Sequence, residues 1–303
     1  MVQTILIDKE ISINHKECFD KFFETAHVLA SEMSFTNLFM WKEHYKLKFG
    51  IINDFLCIMS VRDNLNPFCF FPVGEYKKAE ELKQTIGTLK EYFNSEGWKL
   101  IFSRVTKQQV EILDQLGVGY NSTEDRDNSD YVYTVRSLST LAGKKLDGKR
   151  NHINKFKKLY SYEYEEITPA NIKDCKNIVE KWYRHRGQSG GESLVHERIA
   201  NLKLLDNYGI LGLKGGLIRV EGEAEAFTVG EQLNKNTAVI HVEKANAQIQ
   251  GLYTVINQQF ICNQWLHLEY VNREQDMGIA GLRKAKLSYN PDHLIEKYTI
   301  EVC

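Results

Sequence analysis

The sequence predicts an α/β (α+β) protein made of two similar halves, each a mixed central sheet flanked by helices. Three observations carry this. Apolar residues recur three to four apart in some stretches and alternate in others, the marks of helix and strand. The order helix, helix, three strands, helix, strand, helix, strand then occurs twice along the chain. Order-level repetition of this kind points to two copies of one α/β unit. Finally, 303 residues with 43% hydrophobic content can fill about two cores, and only 4 prolines leave little room for long linkers.

In the first half, Cys18, Phe22, Phe23, Ala26, Leu29 and Ala30 give residues 14–32 a helical stripe. Ser34 is placed to cap a second helix over 35–45. Strands are expected over 47–52, 55–61 and 67–73. A helix over 77–96 carries Leu82, Ile86, Leu89 and Phe93 on one face. A strand at 99–105, a helix at 107–116 and a strand at 131–135 follow, and the polar run 121–130 reads as a loop.

The second half begins with an alternating strand at 162–167. Thr168 and Pro169 form a helix start, with Thr at the cap and Pro at the first helical position. Helices are expected over 170–186 and 193–207, then strands at 217–221, 224–233 and 237–245. A helix over 251–265, a strand at 267–272, a helix at 280–289 and a strand at 297–302 complete it. The halves divide between Val135 and Tyr160, giving domains of 1–140 and 141–303.

Lys plus Arg, 39, nearly balance Asp plus Glu, 40, so no global field argues for nucleic acid and any basic surface is local. The 6 cysteines are scattered without a C-x-x-C pair, which predicts neither a zinc site nor a disulfide framework. The first residues lack the pattern of a signal peptide. No uncharged apolar run approaches the ~20 residues of a membrane helix. The expectation is a cytoplasmic chain with no integral membrane segment and no bound metal.

Residues 267–289 form the most informative stretch. A strand ends in a dense polar run, Asn272, Arg273, Glu274, Gln275 and Asp276, before a glycine-containing turn and a helix. Consecutive hydrogen-bonding side chains at a buried strand end are costly unless they face a site or one another. In open α/β sheets that end is where ligands bind. The helix beyond brings Arg283 near its start and Lys284 next to it.

Two further groups can carry chemistry. Lys144, Lys145, Lys149, Arg150, Lys155, Lys157 and Lys158 cluster around a single acid, Asp147, with Asn151 and His152 adjacent. Cations in the first turn of a helix oppose its dipole, which makes sense if an anion docks there; the bland alternative is a solvated basic face. In the strand pair 224–233 and 237–245, strict alternation puts His241 and Glu243 on one face, with Glu231 on the neighbouring strand. A His and a carboxylate so placed can position or deprotonate an amine, or simply support the sheet.

The element order, together with SFTNLFMW (34–41), DYVYTV followed by LAGKKLDGKRNHINKF (130–156) and YVNREQDMGIAGLRKAKLSY (270–289), resembles tandem GNAT acyltransferases. The motifs resemble a bacterial family of uncharacterised proteins, itself similar to the C-terminal catalytic domain of phosphatidylglycerol lysyltransferases and more remotely to Fem peptidoglycan aminoacyltransferases. The resemblance implies an acyltransferase, with aminoacyl-tRNA or acyl-CoA as donor and a phospholipid head group or peptidoglycan precursor as acceptor. In GNAT domains the acyl-CoA pyrophosphate sits on a turn matched here by Gln248, Gly251 and Tyr253. Tyr253 stands where that pattern has a small residue, which favours an aminoacyl-tRNA donor.

The predicted cleft is therefore lined by Glu231, His241, Glu243, Asn272, Glu274 and Asp276. Lys144, Lys149, Arg150, Asn151, Gln248, Gly251, Tyr253, Arg273, Arg283 and Lys284 would contact substrate or its phosphates. Two alternatives stay open: an acetyl-CoA-dependent N-acetyltransferase, and a non-catalytic protein that binds a nucleotide or phospholipid head group.

Overall fold

The structure, a computed structural model, describes residues 7–63, 65–186 and 191–303. The chain forms two compact units, residues 1–130 with 295–303 and residues 131–294. The first half supplies β1 (Lys9–Glu10), α1 (Lys16–Ala26), α2 (Phe35–Tyr45), β2 (Leu47–Ile52), β3 (Phe55–Ser60), β4 (Phe68–Phe70), α3 (Ala79–Ser95), β5 (Ile101–Thr106), α4 (Lys107–Leu116) and β6 (Tyr120–Glu124). Then follow β7 (Asp130–Thr134), α5 (Val135–Thr140), α6 (Asp147–Leu159), β8 (Tyr162–Glu166), α7 (Ile172–Arg186), α8 (Gly191–Asp206) and α9 (Tyr208–Leu211). The chain ends with β9 (Lys214–Val220), β10 (Glu223–Gln232), β11 (Thr237–Ala245), α10 (Leu252–Gln264), β12 (Tyr270–Asn272), α11 (Ala280–Leu287), β13 (His293–Ile295) and β14 (Lys297–Val302).

The two sheets share one strand order. The first runs β1-β2-β3-β4-β5-β14-β6 and the second, read from its other edge, β8-β9-β10-β11-β12-β7-β13. Counted along each half, position for position, the first five strands and the last match. The sixth place in each sheet is taken by the strand that ends the other half of the sequence. In each sheet the fourth and fifth strands, β4 with β5 and β11 with β12, pair in parallel.

This exchange changes the domain division expected at residue 140. Residues 131–140 belong with the second unit and 295–303 with the first. The physical reason is strand pairing. Lys297–Glu301 pairs antiparallel with β5, and Tyr298–Val302 with β6. The segment 121–130, expected as a loop, contains β6 for the same reason: its polar residues satisfy their backbone groups on β14.

Capping follows the expected logic in α2, where the Ser34 hydroxyl accepts the Asn37 N–H at 3.1 Å. The first core packs Phe55, Phe93 and Phe102 with Leu82 and Leu89 of α3, all 0% exposed. A buried charge network stands beside it. Lys297 donates to Glu32 at 2.5 Å and to Asp130 at 2.7 Å, and Asp130 accepts from both the amide and the hydroxyl of Ser31. With two carboxylates beside it a buried lysine is tolerated.

The second core gathers Tyr131, Tyr133, Phe156, Ile218, Val255, Ile256, Phe260 and Val271. It joins α5, α6 and α10 to the sheet, and this is the layer that positions the candidate site. Among the described residues no helix is long and apolar enough to cross a membrane.

Candidate functional site

The polar residues of the second unit separate into three groups, and the cause is a bulge. The register between β10 and β11 shifts between Val229 and Gly230: Val229 lies opposite Val242, Gly230 opposite Ile240, and His241 has no opposite residue. An inserted residue breaks the alternation of side chains between sheet faces. Accordingly Ala238, Ile240 and Ala245 all enter the α10 core, an odd step of five between the last two. Gly230 is needed at this point, since a Cβ there would meet the Val239 carbonyl oxygen at 2.3 Å.

Strict alternation therefore fails, and His241 and Glu243 do not act together. His241, whose side chain is 0% exposed, holds Glu231 through Nε2 at 2.9 Å and Glu274 through Nδ1 at 3.0 Å. Burial alone would push its pKa down, but the bonds and charges of the two glutamates outweigh this and raise it to about 9. A protonated imidazole donating from both nitrogens has no lone pair left to take a proton. His241, Glu231 and Glu274 form a charged strut across the strand ends.

Asp276 anchors the second group. Its carboxylate accepts from Tyr131 Oη at 2.5 Å, the Gly278 amide at 2.9 Å, and Arg283 through Nε at 2.7 Å and Nη2 at 2.8 Å. Burial works to raise its pKa, but these donors hold it at about 2. Asn272 accepts the Glu274 amide at 2.8 Å, which folds the turn on itself. Lys286 donates to the carbonyls of Arg273 and Glu274. Asp276, Asn272 and Arg283, expected to meet substrate, brace the loop; Lys284 is exposed on α11.

The third group has open hydrogen-bonding capacity. Arg273 Nη2 donates to Glu243 Oε1 at 3.0 Å, and Asn257 Nδ2 on α10 donates to the other oxygen at 3.0 Å. Arg273 Nη1 and Asn257 Oδ1 are buried and have no hydrogen-bond partner among the described residues. The guanidinium lies 4.7 Å from the ring centre of Tyr289 and 5.7 Å from that of Tyr133. Lys149 Nζ lies 3.8 Å from the Tyr289 ring centre. Desolvation first, and the Arg273 charge second, bring the Lys149 pKa down to about 8 despite Glu243. Arg273 and Glu243 keep 13% and 14% of their side chains exposed, so the cluster reaches the surface.

The remaining expected contacts lie elsewhere. Arg150 is clasped by the carbonyls of Leu141 and Gly143 and by Asp147, so the α6 helix start neutralises its own cation. Lys144 and Asn151 are exposed. At the turn before α10, Gln248 N–H bonds Asn246 Oδ1, and the amides of Thr254 and Val255 bond the Gly251 carbonyl. Gly251 has φ +90°, and a Cβ would lie 2.7 Å from the His152 carbonyl oxygen of α6. The turn is thus packed against a helix. Tyr253 Oη accepts from Trp182 Nε1 at 3.3 Å.

Sequence reasoning missed Asn257, inside the helix expected over 251–265, and Tyr133, inside the strand expected at 131–135. The one available signal was an amide among the core positions of α10. Among the described residues no group of His, Cys, Asp and Glu is arranged to hold a metal.

The family model "Phosphatidylglycerol lysyltransferase, C-terminal" matches residues 23–301. A conserved protein of unknown function from Bacteroides thetaiotaomicron superposes with a TM-score of 0.90 at 35% identity, covering 97% of this chain and 99% of that one. L-PGS from Bacillus licheniformis shares the fold, with a TM-score of 0.68 at 14% identity over 98% and 93% of the two chains. A tandem GNAT protein from the clavulanic acid biosynthesis pathway matches at 0.52 and 8% identity over 97% of each chain. An uncharacterized protein of Mycoplasmoides gallisepticum is 28% identical over 184 residues, 58% of this chain and 56% of its own length. The alignment thus spans little more than half of that curated relative. The fold is a mixed α/β, tandem GNAT-like one.

Proposed function

The chain belongs to the phosphatidylglycerol lysyltransferase C-terminal family, and on that premise we propose that it is a GNAT-fold aminoacyltransferase. In this reading it moves an aminoacyl group from aminoacyl-tRNA to a hydroxyl or amine of a phospholipid head group or cell-wall precursor. A cytoplasmic location follows from that donor.

The observation that carries the reading is the Arg273–Glu243–Asn257 cluster with its two open atoms. An aminoacyl ester presents an ammonium group and a carbonyl whose oxygen gains charge as the acceptor attacks. Arg273 Nη1 is a donor of the kind that stabilises such an oxygen. The Glu243 carboxylate and Asn257 Oδ1 are the complementary acceptors for an ammonium. Buried polar atoms left unpaired cost free energy, so a ligand that satisfies both is favoured. Exposed Lys144 and Asn151 remain for the phosphates of the donor.

The packing of the turn before α10 supports this donor over acyl-CoA. Pyrophosphate needs backbone amides that are free and approachable. Here several are bonded within the turn, and Gly251 is pressed against α6. Calorimetry with 3′-lysylamino- and 3′-alanylamino-adenosine, stable mimics of the donor end, tests the assignment. Binding to the native protein and its loss in Asn257→Leu are expected. Binding of neither mimic, or equal binding to Asn257→Leu, would overturn it.

A further inference from the structure

Lys149 differs from the chain's other sheltered lysines. Lys244 is paired with Glu197, Lys286 with two carbonyls, and Lys297 with two carboxylates. Among the described residues Lys149 has no hydrogen bond or ion pair; its ammonium rests on the face of Tyr289. The same ring contacts Arg273, so two cations share one aromatic surface beside Glu243. A cation so placed is stabilised only by the ring and by a carboxylate that Arg273 already holds.

We propose that Lys149, as the free amine, is the group that takes the proton from the attacking acceptor. The inference rests on the aminoacyl-transfer reading. His241 is excluded from the role because both of its nitrogens are engaged. Asp276 is excluded because its carboxylate oxygens accept four bonds. Glu243 already holds Arg273 and Asn257 and, in the aminoacyl-transfer reading, also receives the substrate ammonium, which leaves it the wrong partner for the acceptor's proton. With a hydroxyl acceptor the transfer is one substitution at the ester carbonyl carbon. The acceptor O–H proton passes to Lys149 Nζ while its oxygen bonds to the aminoacyl carbonyl carbon. The ester C–O bond to the tRNA ribose then breaks, and Nζ returns the proton to the departing oxygen.

The groups facing Lys149 set its behaviour: desolvation and Arg273 after β12 favour the free amine, and Glu243 on β11 favours the ammonium. A lysine with its pKa at about 8 is near the optimum for a proton acceptor at physiological pH.

Two measurements test the role separately from the transferase reading. Competitive acetylation with acetic anhydride between pH 6 and 11, read by mass spectrometry, is expected to give Lys149 a midpoint near pH 8, rising in Arg273→Met. A midpoint matching that of exposed Lys284 would overturn the proposal whatever the enzyme transfers. In turnover of lysyl- and alanyl-tRNA, Lys149→Met and Lys149→Arg are both expected to lower kcat by about 10²–10⁴-fold with little change in KM. The native rise in rate through pH 8 should vanish in both. Full activity in Lys149→Arg would assign Lys149 a charge-positioning role and refute proton transfer. Turnover of neither tRNA by the native protein would instead remove the transferase reading, and the proposal with it.

Discussion

Arg273 and Glu243 meet at 3.0 Å beside the Tyr289 ring, with Glu243 two residues beyond His241, the unpaired residue of the β10–β11 bulge. That pairing separates the candidate site from the struts around it. Removing one member of a largely buried pair strands the other. Arg273→Met should therefore cost about 3 kcal/mol in urea denaturation. The double variant Arg273→Met/Glu243→Leu should cost clearly less than the two single changes summed. Strict additivity would show that the pair is not coupled.

The His241 strut predicts a pH dependence of stability. Its folded pKa of about 9 lies above the ordinary histidine value of 6.5. The stabilisation is therefore complete below about pH 6.5 and disappears as pH rises through 9. At full strength it amounts to about 3 kcal/mol. His241→Gln should lower stability at pH 6 and flatten the native decline between pH 6.5 and 9. An unchanged decline in that variant would place its origin in another group.

Asp276 predicts the reverse dependence. Its pKa is depressed to about 2 from 3.8, so its contribution is present above pH 4 and is lost as pH falls toward 2. Asp276→Asn should cost about 2 kcal/mol at pH 7. The deficit relative to the native protein should shrink below pH 4. A deficit independent of pH would mean that shape, not charge, holds the loop.

Gly251 combines a left-handed backbone with contact against His152. Gly251→Ala places a methyl group 2.7 Å from a carbonyl oxygen and strains φ. A loss of about 1–3 kcal/mol is expected by thermal or urea denaturation. A change below about 0.5 kcal/mol would show that α6 and α10 move apart freely.

Much of the fold was legible in the sequence because its signals are local. Helical stripes such as Leu82, Ile86, Leu89 and Phe93 and alternating strands such as 162–166 state their own periods. The doubled element order likewise reappears in the matched strand orders of the two sheets. Partner choice is not local. Nothing within 297–302 says that this strand lies between β5 and β6, and pairing alone made a strand of 120–124. The site shows the same limit. Lys149, Arg273 and Glu243 stood out by type, but one unpaired residue in β11 reversed the face of Glu243 relative to His241. Asn257 was hidden because its neighbours Val255, Ile256 and Phe260 read as core.

In the proposed function the Arg273–Glu243–Asn257 cluster receives the aminoacyl end of a tRNA. Its most direct test is a single-turnover reaction of excess protein with radiolabelled lysyl- and alanyl-tRNA in the presence of phospholipid vesicles or cell-wall precursor. Label leaving one tRNA for the acceptor, slowed at least about 100-fold by Asn257→Leu, is the predicted result. Label that stays on both tRNAs, or moves equally fast with Asn257→Leu, would contradict it.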